Sequence, residues 1–213
     1  MFLKDIEKVF ELNEKYHFQA PLLDAGGLFN PTIANYEISK QKAVKVQYSF
    51  EGQTFSINAP HPIQDDRYAQ ISKPWNFIDN EYLILNPENG DPYIEDLPEK
   101  YGNKFSTVIM VSVLEHVDDP FKACEAIFKI CKPGGYFFNS TPFMFPYHPS
   151  PNDNFRFSPN GLKIVHERSG FKVLECDFHL NYTSKDAVGD TNPANYGNIQ
   201  PIMASFILCQ KPF

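Results

Sequence analysis

The sequence has no Cys-x-x-Cys pair, and none of its four cysteines stands at zinc-type spacing from a histidine. That absence argues against a structural zinc module and against a disulfide-stapled fold. Cys124, Cys131, Cys176 and Cys209 are therefore expected to be free, packed thiols. Basic residues are outnumbered, 19 Lys and Arg against 26 Asp and Glu, and the net charge of −7 argues against a nucleic-acid surface. No run approaches the ~18 apolar residues of a membrane-spanning helix. The opening stretch MFLKDIEKVFELNEKY carries charge throughout, unlike a signal peptide, so a cytoplasmic location is expected. What is abundant is apolar and aromatic: 42% of the 213 residues are hydrophobic and 20 are Phe, enough for one domain with a filled core.

Hydrophobic spacing predicts the order of elements. Residues 2 to 18 have helical periodicity, and Leu22-Leu23-Asp24 reads as a short strand. Asn30-Pro31 is a helix start, with a helix expected to about residue 42. From 44 to 57 the apolar and polar residues alternate across Glu51-Gly52, a hairpin pattern with one wet face. Residues 59 to 79 read as loop, YLIL at 82 to 85 as a strand, and 86 to 104 as loop. FSTVIMVSVL is apolar almost throughout, as a central parallel strand should be. Asp119 and Pro120 open an amphipathic helix with Phe121, Cys124, Ile127, Phe128 and Cys131 as its inner stripe. Lys132-Pro133-Gly134-Gly135 ends it. The strand YFFNSTPF, a Pro-rich loop over 142 to 159, a helix closed by Gly170, and two last strands follow. This alternation predicts an α/β fold: a Rossmann-like, doubly wound, mostly parallel sheet with an antiparallel edge strand and helices on both faces. One domain over 1 to 213 is expected, with 43 to 80 as a divergent hairpin and loop insertion.

The stretch FSTVIMVSVLEHVDDPFKACEAIFKICKPGGYFF resembles the class I S-adenosylmethionine-dependent methyltransferases, in the broad group whose fourth strand ends in Leu-Glu-His-Val. Val113-Leu114-Glu115-His116-Val117, then Asp119-Pro120, then the Lys-Pro-Gly-Gly turn keep the family's order and spacing. The following Pro-Phe, His-Pro and Arg-Phe-Ser stretches resemble members found among polysaccharide and cell-surface glycan enzymes. The resemblance covers about residues 81 to 180. It implies S-adenosylmethionine as cofactor and a small or glycan-linked acceptor, and it leaves the oligomeric state open.

The family's first glycine turn reads acid-x-Gly-x-Gly-x-Gly. Asp24, Ala25 and Gly26 fit it, Gly27 is extra, and Leu28 and Asn30 stand where glycines are expected. Ligands of such sheets bind outside the carboxyl ends of the strands, where strand order reverses. The resemblance accordingly implies cofactor contacts from Asp24, Ala25, Gly26, Gly27 and Val113. Glu51 is the candidate for the ribose hydroxyls, with the hairpin reading of 44 to 57 in competition. Asp91 is the candidate for the adenine amino group, with Asn86 and Asp96 as rivals.

Transfer to oxygen or nitrogen calls for positioning and often for a general base near neutral pH, a task that suits histidine. His116, at the mouth of the fourth strand, and His148, in the loop after the fifth, are the catalytic candidates. Glu115, Pro142 and Arg156 are the candidates for acceptor binding; Arg156 equally suits a pair with Asp153 that orders the loop. His166 reads as structural or solvated, and His17 and His61 have no partner pattern. A metal held by Glu115, His116, Asp118 and Asp119 is not expected, because their spacing sets them in a strand end, a loop and a cap. Two further readings stand beside this one: a methyltransferase-like module that has lost cofactor binding, and a nicotinamide-binding Rossmann protein, which the missing Gly-x-Gly-x-x-Gly disfavours.

Overall fold

The structure is a computed structural model and describes residues 3–25, 45–50, 53–58, 82–85, 91–145, 147–149, 152–182 and 202–213. Helix α1 (Leu3–Tyr16) leads into β1 (Leu22–Ala25). Strands β2 (Lys45–Phe50) and β3 (Gln53–Asn58) pair antiparallel with each other in a two-stranded sheet, as the alternation predicts. Then come β4 (Tyr82–Leu85), a short helix α2 (Leu97–Tyr101), β5 (Phe105–Val111), α3 (Pro120–Ile130), β6 (Cys131–Met144), α4 (Pro159–Arg168), β7 (Lys172–Tyr182) and β8 (Ile202–Gln210).

The main sheet has six strands in the order β4-β1-β5-β6-β8-β7. β1 is parallel to β4 and β5, and β5 is parallel to β6. β8 runs antiparallel to both neighbours, so β7 at the edge pairs antiparallel with it, and the expected edge is present. β1 has β4 on one side and β5 on the other. The order therefore reverses at β1, and the carboxyl ends of β1 and β5 are where sheets of this kind bind their ligands.

Each central strand feeds both faces, as a two-sided sheet requires. Leu22, Ile109, Phe138, Phe206 and Leu208 pack with Val9 and Leu12 of α1. Leu23, Val108, Met110, Phe137 and Ile207 pack on the other face with Leu97, Cys124, Ile127 and Leu162 from α2, α3 and α4. Helices thus cover both faces.

Several local expectations need correction. Residues 91 to 104 are not all loop: Ile94–Asp96 forms a 3-10 turn that runs into α2. Its Pro sits in the first turn, where no N–H is needed, and Leu97 and Tyr101, four apart, bury together. β5 stops at Val111 rather than Leu114, because Ser112 takes a left-handed φ of 55° that breaks the ladder. The inner stripe of α3 is turned by about one residue: Ala123, Cys124, Ala126, Ile127 and Ile130 are buried, while Phe121 and Phe128 flank the core. The small alanines let α3 lie close to the sheet. Cys131 is buried as the residue that ends α3, not on its stripe. The ladder with β5 skips from Phe105↔Cys131 to Thr107↔Tyr136, so Lys132 to Gly135 bulge out as the expected turn, with Gly134 at φ 76°. All four cysteines are free thiols; three are buried and Cys176 is partly so. The helix expected from Asn30 and the loop at 59 to 79 lie outside the described residues. Among the described residues, no helix is long and apolar enough to cross a membrane.

Candidate active site

The left-handed Ser112 turns the chain at the carboxyl end of β5, and its N–H donates to the Ser140 carbonyl of β6 at 2.9 Å. A tight turn follows, closed by the His116 N–H on the Val113 carbonyl at 2.9 Å. It drives Glu115 inward, to complete burial, and leaves His116 partly exposed. Asp119 fixes the far end of this turn, its carboxylate accepting from the N–H groups of Phe121 and Lys122 at 3.1 Å each. The loop after β6 is fastened to the same turn. Asn154 donates its amide N–H to the Glu115 carbonyl at 2.8 Å, and its side chain donates to the carbonyls of His116 and Val117 at 3.3 and 3.2 Å.

This zippering brings His148 to Glu115 and His116. Oε1 of Glu115 lies 3.6 Å from Nε2 of His116 and 4.0 Å from Nε2 of His148, and no hydrogen bond reaches it. Oε2 accepts from the Thr141 hydroxyl at 3.2 Å. The two rings meet edge to face with centroids 5.1 Å apart. Each ring is fixed from behind. Nδ1 of His116 bonds the Asn152 carbonyl, and Nδ1 of His148 lies 3.2 Å from Oδ2 of Asp153. A carbonyl or an ionised carboxylate only accepts, so Nδ1 carries a proton in both rings, and in the neutral form of each ring the lone pair of Nε2 faces Glu115. Asp153 is held in turn by Arg156, with NH1 on Oδ1 and NH2 on Oδ2 at 2.6 Å.

Charge follows this layout. Burial pushes the Glu115 carboxyl up to about 7, against the opposing pull of its own backbone N–H first, then of Thr141 and Arg156. The Arg156 guanidinium, with the His148 amide, holds Asp153 down at about 2. The site therefore combines one carboxyl that takes up a proton near neutrality with one that stays ionised, a contrast typical of acid–base sites.

Of the residues singled out from sequence, Glu115, His116 and His148 come together, and Arg156 stands behind His148 through the Asp153 pair. Pro142 is buried on β6, next to Thr141. Asp24 is buried at the end of β1, Ala25 beside it is part of the core, and Val113 packs against that core from just beyond β5. Asp91 is half-buried at the start of the segment leading to α2. Gly26, Gly27, Leu28, Asn30, Glu51 and Asn86 lie outside the described residues. The strand beside β1 is β4, so the residue following it is Asn86, whereas Glu51 follows a strand of the separate hairpin sheet. The set of four possible metal ligands is divided: Asp119 caps α3 and Asp118 turns to Asn154, while His148, 32 positions away, takes their place. His166 is fully buried, hence structural, not solvated. Sequence reasoning missed Thr141, Asn152 and the bond from Asp153 to His148. The spacing His-x-x-x-x-Asp-x-x-Arg was the signal available for the last.

A methyltransferase domain matches residues 19–175. The chain belongs to that family. No curated protein matches it. Among solved structures it is similar to the Burkholderia thailandensis 1,6-didemethyltoxoflavin-N1-methyltransferase in complex with 1,6-didemethyltoxoflavin and S-adenosylhomocysteine, at 12% identity and TM-score 0.56, covering 98% of this chain and 78% of that one. An S-adenosylmethionine-dependent methyltransferase from Archaeoglobus fulgidus is similar at 13% identity and TM-score 0.50, over 97% and 94% of the two chains. The [4+2]-cyclase SpnF is similar at 14% identity and TM-score 0.56, over 96% and 81%. At these identities the likeness is one of fold, the Rossmann-like methyltransferase fold, and the cyclase among them is a reminder that the fold does not fix the reaction.

Proposed function

We propose that this methyltransferase-domain protein transfers the methyl group of S-adenosylmethionine to a small or glycan-linked acceptor. The observation that carries this reading is the convergence of Glu115, His116 and His148 at the carboxyl end of β5, next to β1, where strand order reverses. The cofactor's expected place is the mouth of β1, and the candidates to hold it are Asp24, Ala25, Gly26, Gly27 and Val113. The residues there suit it: a buried carboxylate at Asp24 complements a cationic sulfonium and ammonium, and Ala25 keeps the strand end narrow. The glycan-linked class rests on the resemblance around Pro142, His148 and Arg156.

When bound, the cofactor supplies a methyl group activated by the positive sulfur. The protein aligns an acceptor hydroxyl or amine behind that methyl. In this reading Nε2 of His148, with Asp153 behind its other nitrogen, takes the acceptor proton as the new bond to carbon forms and the carbon–sulfur bond breaks. His116 narrows the same corner, and Glu115 forms its buried floor.

Calorimetry with S-adenosylmethionine and S-adenosylhomocysteine at millimolar concentration tests the reading. Binding in the range of about 10 μM to 1 mM is expected, lost in Gly26→Val, whose branched side chain would occupy the turn. No heat and no thermal shift with either ligand would sink the proposal and leave a methyltransferase-like binding module.

A further inference from the structure

We infer that Glu115, His116 and His148 form a binding site for one divalent first-row transition-metal ion. The three donor atoms, Oε1 and two Nε2, lie within 4.8 Å of one another. Two imidazoles and one carboxylate are the donors that Zn2+, Fe2+, Co2+ or Mn2+ takes, and three protein ligands with a free position mark catalytic rather than structural metal sites.

Four observations point to a cation rather than to a chance meeting of side chains. First, Oε1 of Glu115 is completely buried, lacks a hydrogen bond, and is aimed at the two rings. An orphaned buried carboxylate oxygen is costly unless a charge meets it. Second, Nδ1 of each ring faces an acceptor, so in the neutral rings both Nε2 lone pairs face Oε1 of Glu115, and an ionised Glu115 completes a set of three acceptor atoms. Third, each of the three side chains is held by an outer partner: Asn152 behind His116, Asp153 behind His148, and Thr141 on the other oxygen of Glu115. Such outer partners are what orients metal ligands and fixes their tautomers. Fourth, the spacing is nearly right. Bonds of about 2.0–2.2 Å hold donors about 3–3.5 Å apart. Here Oε1 stands 3.6 and 4.0 Å from the two nitrogens, a gap that small rotations of two partly exposed rings close.

What the ion would do rests on the methyl-transfer reading: an acceptor hydroxyl bound to it would become a stronger acid and would pass its proton to water, since Nε2 of His148, held on the ion, would no longer take it. That the ion binds does not rest on it, and the two are tested separately.

The test uses the full chain, stripped with a chelator and titrated with Zn2+ and Co2+ by calorimetry. One ion per chain is expected, with a dissociation constant of about 10 μM or below. His116→Ala, His148→Ala and Glu115→Gln should each weaken it at least about tenfold, and Asp153→Asn, which removes only an outer partner, by about 10- to 100-fold. His17→Ala, exposed at the end of α1, should leave it unchanged. On the unaltered protein, Zn2+ should shift the NMR ring signals of His116 and His148 and leave those of His17 and His166 in place, a readout independent of whether any variant folds. Absence of stoichiometric binding, or binding that perturbs other histidines instead, overturns the inference. S-adenosylhomocysteine binding is measured on the same samples with and without Zn2+. Metal binding without cofactor binding keeps this site and defeats the proposed reaction; cofactor binding without metal binding does the reverse.

Discussion

Oδ2 of Asp153 lies 3.2 Å from Nδ1 of His148 and also accepts the His148 backbone N–H at 2.9 Å. One carboxylate therefore sets both the ring and the chain direction of a residue five positions before it, while Arg156 holds it from the other side. Asp153→Asn keeps the shape but turns one acceptor oxygen into a donor and leaves the Arg156 fork half satisfied. A loss of about 1–3 kcal/mol is expected in urea unfolding, the range for leaving buried or charged hydrogen-bonding groups unmade. Amide exchange should rise across 152 to 156 and stay unchanged in β5. If exchange there is unaltered, Asp153 does not order the loop.

The sheet core and the site were legible to different degrees, for physical reasons. β5 announced itself because a strand buried on both faces must be apolar throughout, and α3 because Asp119-Pro120 is a cap followed by a residue that needs no N–H. The antiparallel hairpin was readable from period-two alternation alone. The tilt of the α3 stripe was not, because Ala123 and Ala126 pack by being small, and hydrophobic weight favours Phe121 and Phe128. Ser112 was invisible, since a left-handed serine leaves no mark in sequence. At the site, Glu115 and His116 were found through a motif that stays within one turn. His148 was found as a separate candidate, but its meeting with them was not. That meeting depends on Asn154 and Phe155 donating to the Glu115 carbonyl from 39 and 40 positions along the chain, backbone bonds that any residue type but proline could make.

Gly135 sits where the bulged turn returns to the sheet. A methyl group built there would lie 2.9 Å from the Lys132 carbonyl oxygen, 3.0 Å from that of Ser106 and 3.2 Å from that of Phe105. All three are backbone atoms that cannot swing aside, so Gly135→Ala should destabilise by about 1–3 kcal/mol, as overpacking does. Gly102 is the contrast: its φ is −49°, ordinary for any residue, and its nearest atom would be the Pro98 oxygen at 3.6 Å. Gly102→Ala should be neutral or slightly stabilising, by up to about 1 kcal/mol through the unfolded chain. Equal midpoints for the two variants in denaturant would contradict this account.

Asp119 caps α3 with both N–H bonds at 3.1 Å, and its acidity is raised by those same bonds. Asp119→Ala should lower the unfolding midpoint, as the loss of an N-cap does. Asp119→Asn, which retains an acceptor, should recover most of it. Because the cap lies at the end of the turn that carries Glu115 and His116, the alanine variant is also expected to broaden the His116 ring resonances. Thermal unfolding and one proton spectrum decide both points, and an alanine variant as stable as the parent would show that the cap contributes nothing.

His166 gives the clearest dependence on pH. Its ring is fully buried against Phe137, centroids 5.1 Å apart, with Nδ1 donating to the Leu162 carbonyl at 2.7 Å. Nε2 lies 3.4 Å from the Asn139 side-chain nitrogen, a donor, so a second ring proton would meet another proton rather than an acceptor. Burial, acting against the Leu162 bond, holds its pKa down at about 4, from an ordinary 6.5. The unfolded chain therefore binds a proton below about 6.5 that the folded chain refuses until about 4. Stability is complete above the upper value and falls as the pH drops through that window, by roughly 3 kcal/mol for this group in all. In His166→Gln the slope between pH 6 and 4.5 should be shallower by up to about 1.4 kcal/mol per pH unit, one proton's share. The variant starts lower at pH 7 because its packing against Phe137 is poorer, and the two curves should converge toward pH 4. Parallel curves, or a His166 ring that titrates near 6.5 by NMR, would mean that this histidine is not the buried neutral group on which the argument depends.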